Sequence, residues 1–254
     1  MIEFNLFSIM WWIVAFGVMI AAFIHGVAGF AFALFLTPIL LFVLDPHKVV
    51  IINLSLSVFL NIFNVIIMRK TFANNIVPGR ILPIAIGSLV GMPIGAYILS
   101  IIDPSLLKIF IGFVIIIFAV LISLGFTLSF KNYKLSSAIA GLLSGMLMTS
   151  TSLGGPPVVL FMHGQKLNKN IIYCNLIMYW LFLISFSILT LLISKIINIE
   201  TVYQALTFLP ALLIGLYLGI ITFHRINVHS FRKVTICIII ISGIAAISSE
   251  LGIY

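Results

Sequence analysis

The residues with the clearest chemical potential lie in one apolar stretch. It reads Gly141-Leu-Leu-Ser-Gly145-Met-Leu-Met-Thr149-Ser150-Thr151-Ser152-Leu-Gly154-Gly155-Pro156-Pro157. No Asp, Glu, Lys or Arg occurs from Ser136 to Met162, so the stretch belongs at membrane depth. Four hydroxyl residues, a glycine pair and a proline pair make a poor continuous helix. The helix is expected to break before Pro156 and restart there. A restarted helix turns free N–H groups and its positive dipole end toward whatever fills the break, which suits an anion. The plainer alternative is a kink packed on a neighbouring helix.

Other polar groups at membrane depth fit an oxyanion held by hydrogen-bond donors. The first half offers Gly26, Gly29, Phe30 and the region up to Thr37; the second offers Thr149, Ser150, Thr151, Ser152, Gly154 and Gly155. Asn53, Ser57, Asn61 and Asn64 are spaced to line one helix face, which should turn inward because a buried, unpaired amide is costly against lipid. Asn53 and Asn175 sit alike near the starts of their stretches and are candidates for substrate contact or for interhelical hydrogen bonding. For Asn61 and Asn64 the interhelical role is favoured. His25, beside Gly26, is either a proton-linked group or a satisfied structural one. Trp11, Trp12 and Tyr254 read as interface anchors, and the Met and Phe residues as packing, Phe30 aside.

Composition sets the frame. The chain has 254 residues, 63% of them hydrophobic and 7% charged, which implies an all-α polytopic membrane protein rather than a soluble domain or a barrel. The net charge of +8 resides in short loops, so the membrane's charge rule explains it without nucleic acid. Cys174 and Cys237 lie in apolar runs and suggest no disulfide framework. No Asp or Glu lies mid-membrane, and no metal motif, nucleophile triad or phosphate loop is present. No enzyme, cofactor or metal is therefore expected.

Charged residues divide the chain into eight apolar stretches, roughly 9–44, 49–68, 81–102, 109–130, 136–162, 171–194, 201–223 and 234–249. The halves 1–130 and 131–254 resemble each other. Gly91-x3-Gly95-x7-Asp103-x4-Lys108 matches Gly215-x3-Gly219-x7-Asn227-x4-Arg232, and Gly26 to Pro38 equals Gly145 to Pro157 in length. Repeats of this kind build secondary transporters. If all eight stretches cross, the basic residues divide 6 against 7 between the two sides. If stretches one and five instead dip in and return, Arg69, Lys70, Arg80, Lys131, Lys134, Lys166, Lys169, Arg225, Arg232 and Lys233 share one side. That leaves Lys48, Lys108 and Lys195 opposite, a 10-to-3 split that obeys the positive-inside rule. At about 1.5 Å per residue, stretch one would be ~54 Å long as a helix, too long for one crossing. The expectation is two inverted repeats, each a re-entrant or broken hairpin plus three crossings, with both termini outside.

The two motif stretches, Gly26-Val-Ala-Gly29-Phe-Ala-Phe-Ala-Leu34 before Pro38 and Gly141-x3-Gly145 before Gly154-Gly155-Pro156, resemble the signatures of the sulfite exporter TauE/SafE family. Ala31 and Phe32 stand where that family often has glycine. The resemblance implies a membrane transporter for small sulfur-containing anions such as sulfite, thiosulfate or organosulfonates. It would be a secondary transporter or uniporter in the cytoplasmic membrane, its partners an anionic substrate and lipid, with room for a homodimer. Export is the favoured direction. The membrane potential contributes ~2.3 kcal/mol per charge per 100 mV, so a dianion leaves without a coupling ion. The alternatives are a non-transporting assembly subunit or a carrier of a different small solute.

Overall fold

The computed structural model describes residues 8–126, 133–165 and 167–223. Among these the chain is helical: α1 Ile9–Ala28, α2 Phe32–Leu41, α3 Pro46–Ile67, α4 Arg69–Asn75, α5 Pro78–Ile101, α6 Pro104–Ser123, α7 Tyr133–Thr151, α8 Gly155–Gly164, α9 Lys169–Ile193, α10 Ile199–Leu206 and α11 Leu209–Phe223. Four of them (α1, α3, α5 and α9) are long and apolar enough to cross a membrane, and α10 with α11 forms a fifth candidate bent by 52°. The chain is a multi-pass membrane protein. The eighth stretch and both termini lie outside the described residues.

Stretches one and five are both broken, and each folds back on itself. Gly29 and Ala31 take left-handed backbone (φ 77° and 76°), ending α1 and turning the chain into α2. Gly17 of α1 then lies against Ile39 of α2, so the two helices run side by side in opposite directions. In the second hairpin Ser152 is left-handed (φ 62°), and α8 begins with Pro156 and Pro157 in its first turn. Tyr133 at the start of α7 meets Phe161 of α8 with ring centroids 5.6 Å apart, which requires α8 to return along α7.

Three pairs of helix ends keep the same spacing along the chain. α1 ends at residue 28 and α7 at 151; α2 starts at 32 and α8 at 155; α3 starts at 46 and α9 at 169, each an offset of 123. Even the caps agree, with Asp45 accepting from the His47 amide and Asn168 from the Asn170 amide. This offset replaces the pairing of Gly26–Pro38 with Gly145–Pro157, which is four residues out of register. Pro38 lies within α2, whereas Pro157 stands in the first turn of α8.

Glycines set the closest helix contacts. A methyl on Gly87, Gly91 or Gly95 of α5 would collide with the carbonyl oxygens of Ala138, Leu142 or Met146 of α7. One on Gly215 or Gly219 of α11 would collide with those of Met19 or Phe23 of α1. Within each pair the contacts advance together, so α5 runs parallel to α7 and α11 parallel to α1. The glycine spacing read from the sequence thus serves backbone-to-backbone packing, for which only hydrogen is small enough. By contrast, the end of α3 meets the beginning of α9. Asn64 donates to the Tyr173 hydroxyl at 2.8 Å, and Asn175 accepts from the Val77 amide just beyond α4. At the other end, His47 of α3 contacts the Leu99 carbonyl near the end of α5. α3 therefore runs opposite to both α5 and α9.

Candidate functional site

A cavity of about 50 Å³ lies where the two chain breaks face each other. Phe30 to Leu34 line it from the first hairpin, and Met148, Ser152, Leu153, Gly155 and Pro156 from the second. His25 of α1, Ser57 and Asn61 of α3, and Trp180 and Ile184 of α9 complete the walls. At the 123-residue offset these residues pair: His25 with Met148, Phe30 with Leu153, Phe32 with Gly155, Ala33 with Pro156, Ser57 with Trp180 and Asn61 with Ile184. The cavity is thus built from corresponding positions of both halves. At three of these pairs, His25 with Met148, Ser57 with Trp180 and Asn61 with Ile184, the first residue is polar and the second apolar.

Asn53 joins the hairpins. Fully buried, it donates from Nδ2 to Thr37 of α2 at 2.8 Å and to Ser152 at the second break at 3.0 Å. α9 fixes the breaks with aromatic polar groups. Tyr173 donates to the Gly26 carbonyl at 3.1 Å and Trp180 to the Gly29 carbonyl at 2.9 Å. Tyr179 donates to Ser144 at 2.9 Å, and Ser144 to the Gly154 carbonyl. The Gly26 and Gly29 carbonyls, freed where α1 stops, would otherwise be buried without donors, while the Ser144 bond ties the N-cap of α8 to α7. Sequence reasoning overlooked Tyr173, Tyr179 and Trp180. The available signal was three rings with polar handles deep in an apolar run, each of which needs a partner when buried.

The two helix starts supply different numbers of donors. In α2 the amides of Phe32, Ala33 and Leu34 precede the first helical bond, from Phe35 to the Ala31 carbonyl at 3.1 Å. In α8 prolines 156 and 157 delete two of the corresponding amides, leaving Gly155.

Of the candidates named from the sequence, His25, Phe30, Ser152 and Gly155 line the cavity. Asn53 bridges the hairpins, while Gly26, Gly29 and Gly154 present the carbonyls that α9 and Ser144 anchor. The hydroxyls of Thr149, Ser150 and Thr151 turn to carbonyls of their own helix (Gly145, Met146 and Leu147), and Thr149 also reaches Met92 of α5. Asn175 bonds the Asn75 carbonyl and the Val77 amide, away from the cavity. The register explains the difference between the asparagines: at an offset of 123, Asn53 corresponds to Leu176, so Asn175 lies about 100° around the helix. The Asn53, Ser57, Asn61 and Asn64 stripe is buried as expected.

Two hairpins that fold back on themselves lie among membrane-length helices, with a small, partly open cavity between their breaks. The chain belongs to the sulfite exporter TauE/SafE family, whose model matches residues 13–246. No curated protein and no solved structure matches the chain.

Proposed function

We propose that this protein moves a small sulfur-containing oxyanion of the sulfite type across the cytoplasmic membrane, in the export direction, with the ion held between the two chain breaks. The observation that carries this reading is the cavity itself. It is lined by the amide-bearing start of α2 and by paired positions of both halves, with no carboxylate among the described residues of its wall to repel an anion. Its volume, about 50 Å³, is a few water-sized spaces and suits an ion of a few heavy atoms. The contacts are the amides of Phe32 to Leu34 and of Gly155, with Ser57, Ser152 and His25 around them. Asn53 positions the two hairpins.

The halves 1–130 and 131–254 act as inverted repeats in this reading. Its support is that corresponding helices α3 and α9 run in opposite directions while α1 pairs with α11 as α7 pairs with α5. The side bearing Arg69, Lys70 and Arg80 faces the cytoplasm by the charge rule. Repeats of this form bind substrate near the midplane and expose it alternately to either face. The test is flux from proteoliposomes of purified protein across sulfite, thiosulfate, sulfonates, sulfate and chloride. Sulfite-driven flux above empty liposomes is expected; no flux of any anion would sink the proposal.

A further inference from the structure

The sulfite reading leaves open which protonation state is carried, and the cavity's polar groups bear on it. His25 and Asn61 are both buried in its wall. Neither ring nitrogen of His25 nor Oδ1 of Asn61 meets a hydrogen-bond partner of full geometry, although the two side chains face one another. The Asn61 amide has a fixed orientation, because Nδ2 donates to the Ser57 carbonyl at 2.8 Å and a carbonyl can only accept. Its oxygen is therefore the end turned toward His25. A neutral imidazole brings one N–H and one bare nitrogen, and the Ser57 hydroxyl brings one donor and one acceptor. Acceptors outnumber donors among these three side chains, so an O–H brought by the ligand would satisfy one of them. A fully deprotonated oxyanion cannot supply it.

The charge inventory points the same way. Among the described residues no Lys, Arg, Asp or Glu lines the cavity. Among described residues, the titratable groups on the helices packed about His25 are few. α2 has none; α11 has Tyr217, which is exposed; α3 has His47 and Lys48 at its far end; α7 has Tyr133 and Lys134 in its first turn and α8 has His163 in its last. α9 carries Lys169, Tyr173, Cys174 and Tyr179, of which Tyr173 is committed to the Gly26 carbonyl and Tyr179 to Ser144. The positive potential therefore comes from helix starts, each worth roughly half a charge, and α8 has lost two of its amides to proline. Against an apolar wall of Met148, Trp180 and Ile184, that is enough for one negative charge and too little for two.

We infer that the site takes a singly charged oxyanion bearing one hydroxyl, its charged oxygens on the α2 amides and its O–H directed to Asn61 and His25. Within the transport reading on which this rests, the species is hydrogensulfite, not the sulfite dianion. One charge then leaves per ion, and at 100 mV the membrane potential supports an accumulation ratio of about fiftyfold rather than above a thousandfold.

The test compares sulfite, methanesulfonate (the same charge without the hydroxyl) and sulfate (a dianion) in proteoliposomes. Flux and current are recorded together at several pH values. The expected result is one charge per sulfite, a flux that follows the hydrogensulfite concentration as pH is varied, and methanesulfonate and sulfate at least about tenfold slower. Asn61→Leu is expected to bring methanesulfonate within about threefold of sulfite, while Thr190→Val, on the exposed side of α9, leaves the ratio unchanged. Two charges per sulfite, a flux that follows the dianion, or methanesulfonate equal to sulfite in the unaltered protein overturns the inference and leaves transport standing. Absence of flux for every anion overturns the transport reading and this inference together.

Discussion

Replacing Asn53 by leucine tests whether one side chain holds the two hairpins in register. The substitution keeps nearly the same volume and removes two buried neutral hydrogen bonds, at 2.8 Å to Thr37 and 3.0 Å to Ser152. Each is worth about 0.5–1.5 kcal/mol. Oδ1 of Asn53 is already buried without a partner, so part of the loss is returned when the amide is removed. The net destabilisation is then about 1–2 kcal/mol, and the cleaner quantity is the coupling to Ser152. Ser152 also donates to the Thr151 carbonyl, so Ser152→Ala removes a second contact that cancels in a double-mutant cycle. Asn53→Leu and Ser152→Ala, alone and combined, should show a coupling of about 1 kcal/mol in denaturant unfolding of the detergent-solubilised protein. The cycle of Asn175→Leu with Ser152→Ala should be additive, since Asn175 bonds Asn75 and Val77 instead. Additivity of Asn53 with Ser152 within about 0.3 kcal/mol would refute the bridging role.

Gly91→Ala should destabilise by about 1–3 kcal/mol despite the better helix propensity of alanine, because its methyl meets the α7 backbone at Leu142 and Met146. Gly79→Ala, with nothing near its added carbon, should be neutral or stabilising by up to about 1 kcal/mol; thermal unfolding of the pair checks both. Ala31→Gly should stabilise by up to about 1 kcal/mol, since Ala31 sits at φ 76°, a region glycine enters without steric cost, and Ala31→Val should do the reverse. Cysteines placed singly at Lys48 and Gln165 should label from opposite membrane faces in sealed vesicles if both hairpins are re-entrant. Labelling from the same face would restore eight plain crossings.

What the sequence made legible was the large-scale order. Runs without charge marked the helices, and Gly154 to Pro157 marked a break that Pro geometry enforces. The Gly91/Gly95 and Gly215/Gly219 pairs announced close contacts because no other residue allows two backbones to touch. The first break was placed less well. Ala31 carries a left-handed turn that its residue type does not advertise. The run Thr149 to Thr151 looked like a row of donors. A hydroxyl in a helix has its own carbonyl one turn back as the nearest acceptor, and all three took it. Asn175 looked equivalent to Asn53 at a shift of one residue. On a helix that shift is a large rotation, and only the common offset of the α2/α8 and α3/α9 starts reveals it. The bend at Thr207–Phe208 and the aromatic anchors of α9 depend on partners distant in sequence, which local pattern does not encode.

Transport as proposed requires an anion lying between the two chain breaks. The most direct measurement is the anomalous signal of selenite, the heavier congener of sulfite, in crystals of the protein soaked with it. The account predicts a selenium peak within hydrogen-bond reach of the Phe32 to Leu34 amides, facing Ser152. A cavity empty of selenium, with peaks confined to the basic residues of α4 and the start of α5 around Arg69 and Arg80, would contradict it.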